Sequence, residues 1–228
     1  MSMKKINSVT RAPTVARALE GIRDKIVLHE FKSGETLTET ALATEYGVSR
    51  GSIRSVLYML ESEGLISTQP NGRRVVIEIT DKFIADLYDT RILLECKAAS
   101  ICIESSVVDY SKMANSIARF YTLRSARKET LYVERTLTNT GFHRALIESA
   151  NNRSLLQCWE TVEPLLHAFI KLNYLTLDNR TDDEALMKSH TDIMDMIMKK
   201  DPLVVDELDK HVRVAVGESI DGWNKRIN

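Results

Sequence analysis

Residues 46–57 read Tyr46-Gly-Val-Ser-Arg-Gly-Ser-Ile-Arg-Ser-Val-Leu57, and they predict a tight turn that leads into a helix. Gly47 can adopt the positive φ that such a turn needs. Ser49 is a typical N-cap, because its side-chain oxygen can accept a hydrogen bond from an unpaired N–H group of the first helical turn. The apolar residues that follow at helical spacing are Ile53, Leu57 and Leu60. They predict a stripe that is buried against a neighbouring element.

Another face of the predicted helix is small and basic. Arg50 and Arg54 lie four residues apart on it, and the residues beside them are Gly51, Ser52 and Ser55. A small face can approach the major groove of DNA closely, and an arginine there can pair with two acceptors of guanine or bind a phosphate. Taken alone, the spacing is equally typical of a solvated helix face with two unremarkable arginines.

The flanking segments make this helix the second helix of a helix-turn-helix. Thr38–Tyr46 predicts a short preceding helix, and Val15–Glu30 predicts a longer helix that packs beneath the pair. Gly64 is placed to end the second helix. Asn71-Gly72 then lies between two β-prone runs, which is a strong signal for a hairpin. The whole order of elements is that of a winged helix-turn-helix.

The predicted hairpin is the wing of this domain, and it carries Arg73 and Arg74 directly after Gly72. Arginines at such a position are suited to backbone phosphates or to the minor groove. Residues 1–80 hold 11 Lys and Arg against 9 Asp and Glu, so this part of the chain is only mildly basic. Affinity for DNA would therefore come from the local placement of charge rather than from bulk charge.

The residues from about Pro13 to Ile79 resemble the DNA-binding domain of GntR-family transcription regulators. The matching residues are Ser33-Gly-Glu-Thr-Leu37, Leu42-Ala43, Gly47-Val-Ser-Arg50, Ile53-Arg54, Leu57, Leu60-Glu61, Glu63-Gly-Leu-Ile66 and Asn71-Gly72. The chain departs from the family where Gly51-Ser52 replaces the usual Thr-Pro, a change that bears on the operator sequence. The resemblance implies that residues 13–79 form a DNA-binding domain. Its DNA-binding set would be Thr38, Ser49, Arg50, Gly51, Ser52, Arg54, Gly72, Arg73 and Arg74.

Composition places the chain among globular proteins of one or two domains. It has 228 residues, 43% hydrophobic residues, 4 prolines and a formal net charge of −1. The sequence contains no apolar run long enough to predict a membrane span, and residues 1–12 are expected to form a disordered leader. The three cysteines lack paired metal spacing and are expected to be reduced core thiols of a cytoplasmic protein. They are Cys96, Cys102 and Cys158.

Every long segment between residues 83 and 223 has helical periodicity. Six helices are predicted, over Phe83–Val107, Ser111–Leu123, Tyr132–Ala150, Asn152–Leu177, Asp182–Lys199 and Pro202–Trp223. Six helices are enough for an all-α bundle. The predicted fold class is therefore mainly α, with an N-terminal winged helix-turn-helix domain followed by an all-α helical bundle of about six helices.

Histidines are the candidate metal ligands of this second domain. His143, His190 and His211 come from three different predicted helices, and Asn139 lies one turn before His143 on the same face. If these residues converge inside the bundle, three imidazoles and one amide oxygen can hold a divalent cation such as Zn, Ni, Mn or Fe. Because no short motif links them, the residues by themselves favour separate core or surface histidines.

The residues from about Phe83 to Trp223 resemble the FCD domain, the helical effector domain of the FadR-like subfamily. The matching residues are Arg91-Ile-Leu-Leu-Glu95, Phe142-His-Arg-Ala-Leu146, Ala150-Asn-Asn152, His190, Ile193, Asp201 and His211-Val212. In metal-binding members an aspartate, or sometimes an asparagine, joins three histidines. The resemblance implies that Asn139, His143, His190 and His211 hold a divalent metal and that a small organic acid binds in the same cavity. An asparagine here, in place of the commoner aspartate, should weaken the binding of the cation.

Arg91 has two interpretations. By resemblance it is an effector-binding residue whose charge attracts the carboxylate of the small acid. By spacing it forms a helix-surface salt bridge with Glu95, which lies four residues further along the chain. The sequence favours neither interpretation over the other.

The function predicted from the sequence is a ligand-responsive, DNA-binding transcription regulator that is expected to be a repressor. A cytoplasmic, nucleoid-associated homodimer would place two recognition helices about 34 Å apart in a near-palindromic double-stranded operator. One alternative is a metal-dependent hydrolytic enzyme with an appended winged helix. No convincing general base or nucleophile accompanies the histidines, which argues against an enzyme. The other alternative is a winged-helix protein-interaction module, which the arginines on the expected DNA-facing surfaces disfavour.

Overall fold

The computed structural model describes residues 11–123, 131–176 and 183–227. Within these ranges it has nine helices and two strands: α1 (Arg11–Val27), α2 (Glu39–Tyr46), α3 (Arg50–Ser62), β1 (Ile66–Thr68), β2 (Arg74–Val76), α4 (Asp81–Glu104), α5 (Ser111–Leu123), α6 (Leu131–Ser149), α7 (Arg153–Thr176), α8 (Asp183–Met198) and α9 (Val204–Ile227). The chain divides into two compact units between Thr80 and Asp81. Residues 1–10 of the expected leader lie outside the described ranges, and α1 already begins at Arg11.

The turn between α2 and α3 forms as its residues predict. Gly47 has a φ of 64°, and its N–H donates to the carbonyl of Ala43 at the end of α2. Ser49 caps α3, because its Oγ accepts a hydrogen bond from the N–H of Ser52 at 3.1 Å. The predicted stripe on α3 is buried and consists of Ile53, Val56, Leu57 and Leu60. It packs between α1 and α2, which fixes the orientation of the basic face.

An ion pair joins α1 to the far end of α3. Arg23 is only 6% exposed, and its Nε and Nη2 donate to the two carboxylate oxygens of Glu63 at 2.7 and 2.6 Å. The next residue, Gly64, has a φ of 74°, so the chain leaves the helix in a left-handed conformation. The predicted glycine end of α3 is therefore confirmed.

The wing is a two-stranded antiparallel hairpin. β1 and β2 pair so that Ile66 lies opposite Val76 and Thr68 lies opposite Arg74. In the connecting loop Gly72 has a φ of 79°, and its N–H donates to the carbonyl of Gln69 at 2.8 Å. Thr36 adds an isolated bridge to the outer side of β2. The wing is thereby tied to the segment that leads into α2.

Helices α4 to α9 form the second unit, and the predicted bundle of six helices is confirmed within the described residues. Among these six, α4 packs on α9, α5 on α6, and α7 on both α6 and α9. Asn152 caps α7, because its Oδ1 accepts a hydrogen bond from the N–H of Leu155 at 3.1 Å. In the described part of the chain no helix is both long enough and apolar enough to cross a membrane.

Two sequence-based expectations about buried residues are wrong. Cys158 is exposed, whereas Cys102 is buried and Cys96 is partly buried, so the three cysteines are not all core thiols. Arg91 and Glu95 also do not lie on the helix surface, as the interpretation from their spacing had them, because both are on the buried face of α4 between Tyr88 and Ala98. These two charged residues belong to the candidate site described below.

Candidate nucleic-acid interface and candidate metal centre

The first turn of α3 presents an exposed polar face. Arg50 and Gly51 are exposed there, and the hydroxyls of Ser49 and Ser52 lie 2.9 Å apart. Ser49 is engaged as the N-cap of α3. Thr38 has the corresponding role in α2, where its Oγ1 accepts a hydrogen bond from the N–H of Ala41 at 3.4 Å. A DNA contact by either cap stays a prediction.

The start of α2, the middle of α3 and the wing line one open concave surface of about 610 Å³. Its lining residues are Thr36, Leu37, Thr38, Glu39, Arg54, Tyr58, Thr68, Gly72, Arg73 and Arg74. We call this the winged concavity. Five of the nine predicted DNA-binding residues lie in it, namely Thr38, Arg54, Gly72, Arg73 and Arg74. The other four follow one another along the chain at the start of α3, as Ser49, Arg50, Gly51 and Ser52.

Glu39, the first residue of α2, places a carboxylate among these arginines. Its Oε1 accepts a hydrogen bond from Nε of Arg54 at 2.8 Å, and its Oε2 accepts one from Nη2 of Arg54 at 2.9 Å. Nη1 of Arg74 lies 3.3 Å from Oε1. The hydrogen bonds from Arg54 lower the pKa of Glu39, so the carboxylate is charged at neutral pH. Glu39 was not among the predicted site residues, because acidic residues are common in the first turn of a helix, where the helix dipole favours them.

The two arginines of the wing have different surroundings, although one DNA-binding role was predicted for both. The Arg73 residue is exposed, and its guanidinium donates to Oγ1 of Thr36. The Arg74 side chain is only 10% exposed, and its guanidinium lies 4.4 Å from the centre of the Tyr58 ring. Arg74 therefore joins the wing to α3, while Arg73 is the more accessible of the two.

His143, His190 and His211 converge in the helical unit from α6, α8 and α9. The Nε2 atom of His143 lies 3.2 Å from Nε2 of His190 and 3.4 Å from Nε2 of His211. His143 is 1% exposed and His190 is fully buried. We call these three residues the histidine cluster. The alternative of three separate core or surface histidines is wrong.

Burial keeps the histidine cluster uncharged. It lowers the pKa values of His143 and His190 well below the usual range, and the neighbouring positive charge of Arg91 contributes to both shifts. Burial likewise lowers the pKa of His211 to about 4. All three rings are therefore neutral near pH 7, which is the form that binds metal ions.

Glu95 orients one ring of the cluster. Its Oε2 lies 2.8 Å from Nδ1 of His143, and since a carboxylate only accepts hydrogen bonds, Nδ1 must carry the proton. The lone pair of His143 is then on Nε2, facing the other two rings. Oε1 of Glu95 accepts a hydrogen bond from Nε of Arg91 at 2.6 Å. The predicted salt bridge between Arg91 and Glu95 thus exists, but both side chains are almost fully buried instead of lying on the helix surface.

The histidine cluster fits a divalent metal. Tetrahedral zinc sites with Zn–N bonds of about 2.0–2.1 Å separate their nitrogen ligands by about 3.3–3.4 Å. Nε2 of His143 lies at 3.2 and 3.4 Å from the other two nitrogens of the cluster, and all three ligand atoms lie within 4.8 Å of one another. Nε2 of His143 can accept a hydrogen bond from only one neighbouring ring, whereas a cation would satisfy all three nitrogens. Oγ of Ser189 lies 2.8 Å from Nδ1 of His211. Glu95 and Ser189 are thus placed as the outer partners that orient metal-binding histidines.

A cavity of about 320 Å³ lies beside the cluster, and Arg91, Asn139 and His211 all line it. Nη2 of Arg91 is buried and has no hydrogen-bond partner among the described residues. Nδ2 of Asn139 donates to the hydroxyl of Tyr174 at 3.3 Å. The binding of a metal by the amide oxygen of Asn139 stays a prediction. The guanidinium of Arg91, the amide of Asn139 and the ring of His211 therefore line the same cavity.

Comparison with known proteins gives matches over both units. Residues 14–76 match the family described as bacterial regulatory proteins of the gntR family, and residues 86–213 match the FCD domain. The chain is 28% identical to the gluconate operon transcriptional repressor of Bacillus licheniformis over 94% of this chain and 88% of that protein. It is 31% identical to the protein of the same name from Bacillus subtilis strain 168, over 72% of this chain and 67% of that protein. Its fold is similar to that of Escherichia coli McbR/YncC, with a TM-score of 0.68 and 16% identity over 94% of this chain and 99% of the other.

Proposed function

The chain belongs to the GntR family of bacterial regulatory proteins and carries an FCD domain, and on this premise we propose that it is a ligand-responsive transcriptional repressor. Two relatives are themselves named as transcriptional repressors, which supports repression over activation. The protein would act as a cytoplasmic, nucleoid-associated homodimer on a near-palindromic operator. Its function would be binding and not catalysis.

The grouping of arginines on the winged concavity is the observation that carries the proposed DNA contact. α3 would enter the major groove, with Arg50 and Arg54 at base edges or phosphates. Arg73 and Gly72 would follow the backbone beside the groove. Thr38, Ser49, Gly51 and Ser52 would allow the start of α2 and the start of α3 to approach phosphates closely. Arg74 would contribute through its charge and through its support of the wing.

The second part of the proposal concerns the effector. His143, His190, His211 and the oxygen of Asn139 would hold one divalent cation, which when bound supplies a positive charge for a carboxylate ligand. Arg91 would supply a second positive charge through its unpartnered Nη2. A small organic acid fits this chemistry, and the names of the two Bacillus relatives make gluconate the first acid to test.

Regulation requires that the acid distinguishes two arrangements of the DNA-binding units. A ligand can shift an equilibrium only by the difference between its affinities for the two states. Arg91 lies on α4, the helix that begins directly after the winged unit ends. A contact between the acid and Arg91 would therefore act on the first helix that follows the winged unit in the chain.

The test begins with duplexes selected by the wild-type protein from a random library, followed by fluorescence anisotropy at several salt concentrations. We expect log K to fall linearly with log salt, because phosphate contacts release counterions. Arg50→Ala should weaken binding, whereas Arg153→Ala, a change at an exposed position in the helical unit, should not. Gluconate is then added to the complex. Failure to select any duplex, or binding that does not depend on salt, would contradict the proposed function.

A further inference from the structure

The contact between Arg54 and Glu39 uses only one edge of the guanidinium. Nε and Nη2 of Arg54 donate to the two carboxylate oxygens at 2.8 and 2.9 Å. A guanidinium carries five N–H donors in a rigid planar fork. The opposite edge, formed by Nη1 and the second hydrogen of Nη2, lies outside this pair. Arg54 is therefore fixed in orientation and still has a bidentate edge to offer.

The wing in turn restrains Glu39. Arg74 reaches the same carboxylate from β2 at 3.3 Å, and Arg74 is itself packed over Tyr58 of α3. One carboxylate thus joins α2, α3 and β2. The Arg54 side chain nevertheless remains 58% exposed, compared with 26% for Glu39 and 10% for Arg74. Arg54 is thus the most exposed of the three side chains, although it donates two hydrogen bonds to Glu39.

A negative charge on a surface that faces DNA has an electrostatic cost. Glu39 lines the winged concavity together with three arginines, and its charge repels phosphates wherever the protein binds. Phosphates accept hydrogen bonds from many directions, whereas the two acceptors of guanine require an arginine fork in one plane. The carboxylate of Glu39 therefore weakens binding to every duplex through its charge. The fixed orientation of Arg54 compensates for this loss only where a guanine meets the guanidinium.

We infer that Glu39 is a specificity-determining positioning residue, which orients Arg54 towards a base edge and weakens sequence-independent binding. This inference rests on the proposed DNA-binding function and adds a residue to it. Glu39 itself does not need to touch DNA. It acts through Arg54, so its effect must disappear when Arg54 is removed.

The test compares two duplexes of about 30 base pairs, one selected by the wild-type protein from a random library and one with the selected sequence scrambled. For Glu39→Gln we expect the ratio of affinities for the two duplexes to fall about tenfold, because one bidentate contact is no longer oriented. Binding to the scrambled duplex should tighten, and its salt slope should steepen by about one, because Arg54 can then reach a phosphate. The matched control is Glu45→Gln on the same helix, which removes an equal charge from the ion pair with Lys25 and should leave the ratio unchanged.

A double-variant cycle separates positioning from folding. In the Arg54→Ala background, adding Glu39→Gln should leave the ratio of affinities unchanged, because no fork remains to be oriented. An unchanged ratio of affinities in Glu39→Gln would overturn the inference, and this includes the case in which both affinities fall equally. A wild-type protein that selects no duplex would overturn the proposed function as well. Selection by the wild type followed by an unchanged ratio in Glu39→Gln would overturn the inference alone.

Discussion

Two glutamates in this protein make the same kind of contact in opposite environments. Glu39 bonds Arg54 and Arg74 on the exposed winged concavity, and its side chain is 26% exposed. Glu95 bonds Arg91 and His143 inside the helical bundle, and its side chain is fully buried. Each carboxylate joins two partners, and each lies where a ligand is proposed to bind.

The difference in burial predicts a difference in role. An exposed ion pair is worth between zero and about 1 kcal/mol of stability, because water competes for both charges. Breaking a buried pair by removing one partner costs about 3–5 kcal/mol, because the other charge is left without a partner in the interior. The exposed pair is suited to orienting Arg54 while leaving it accessible to DNA, and the buried pair is suited to stabilising the helical unit and holding its site in one geometry.

The largest expected effect is on the buried pair. Glu95→Ala should lower the free energy of unfolding by about 3–5 kcal/mol, because it leaves the guanidinium of Arg91 buried and unpaired. Urea denaturation followed by tryptophan fluorescence measures this directly, since Trp159 and Trp223 both lie in the helical unit. The double variant R91L/E95L should recover part of the loss. A loss below about 1 kcal/mol in Glu95→Ala would show that the pair behaves like a surface contact.

The next effect concerns the exposed arginine. Arg54→Ala should weaken binding to the selected duplex about ten- to hundredfold, because a bidentate contact with a base pair is lost. Its urea midpoint should stay near that of the wild type, in contrast to Glu95→Ala. Arg153→Ala serves as the charge-matched control at an exposed position. Equal affinities of wild type and Arg54→Ala at matched salt would rule out a DNA contact by Arg54.

A smaller effect is expected at the outer side of the histidine cluster. Ser189→Ala removes the hydroxyl that lies 2.8 Å from Nδ1 of His211, so the ring loses an orienting partner. We expect the affinity for Zn²⁺ to fall about tenfold, measured by competition with a fluorescent chelator. Ser154→Ala, at an exposed position near the start of α7, is the control. Unchanged affinity would mean that the packing of α9 alone orients His211.

The smallest expected effect is that of Glu39→Ala on stability. Its change in the free energy of unfolding should stay within about 1 kcal/mol, because Arg54 is exposed to solvent and Arg74 keeps its contact with the Tyr58 ring after the change. Far-UV circular dichroism during urea denaturation provides the measurement. A loss as large as that of Glu95→Ala would remove the distinction between the two glutamates.

Local features of the fold could be predicted from the sequence because their causes are local. The positive φ of Gly47 and the cap at Ser49 depend on a few neighbouring residues, and both are confirmed. The convergence of His143 with His190 and His211 depends instead on how distant helices pack. Only the resemblance to the FCD domain favoured it, since the spacing of the residues did not.

Neither glutamate was predicted as a site residue, because a charged residue in a sequence is usually solvated and Glu39 also fits the first turn of a helix, where acidic residues are common. For Glu95 a signal existed. The buried residues of α4 include Ile84, Tyr88, Arg91, Glu95, Ala98 and Cys102. This stripe has regular helical spacing, and two opposite charges four residues apart within it indicate a buried pair. Glu39 had no comparable signal, because its partners come from α3 and β2.

The most direct test of the effector site is elemental analysis of the purified protein beside His143→Ala and His167→Ala. His167 lies outside the histidine cluster and serves as the matched control. After incubation with Zn²⁺ or Ni²⁺ and dialysis, we predict about one metal ion per chain in the wild type and in His167→Ala, and none in His143→Ala. No retained metal in the wild type, or equal metal in all three proteins, would contradict the assignment of Asn139, His143, His190 and His211 as the metal site.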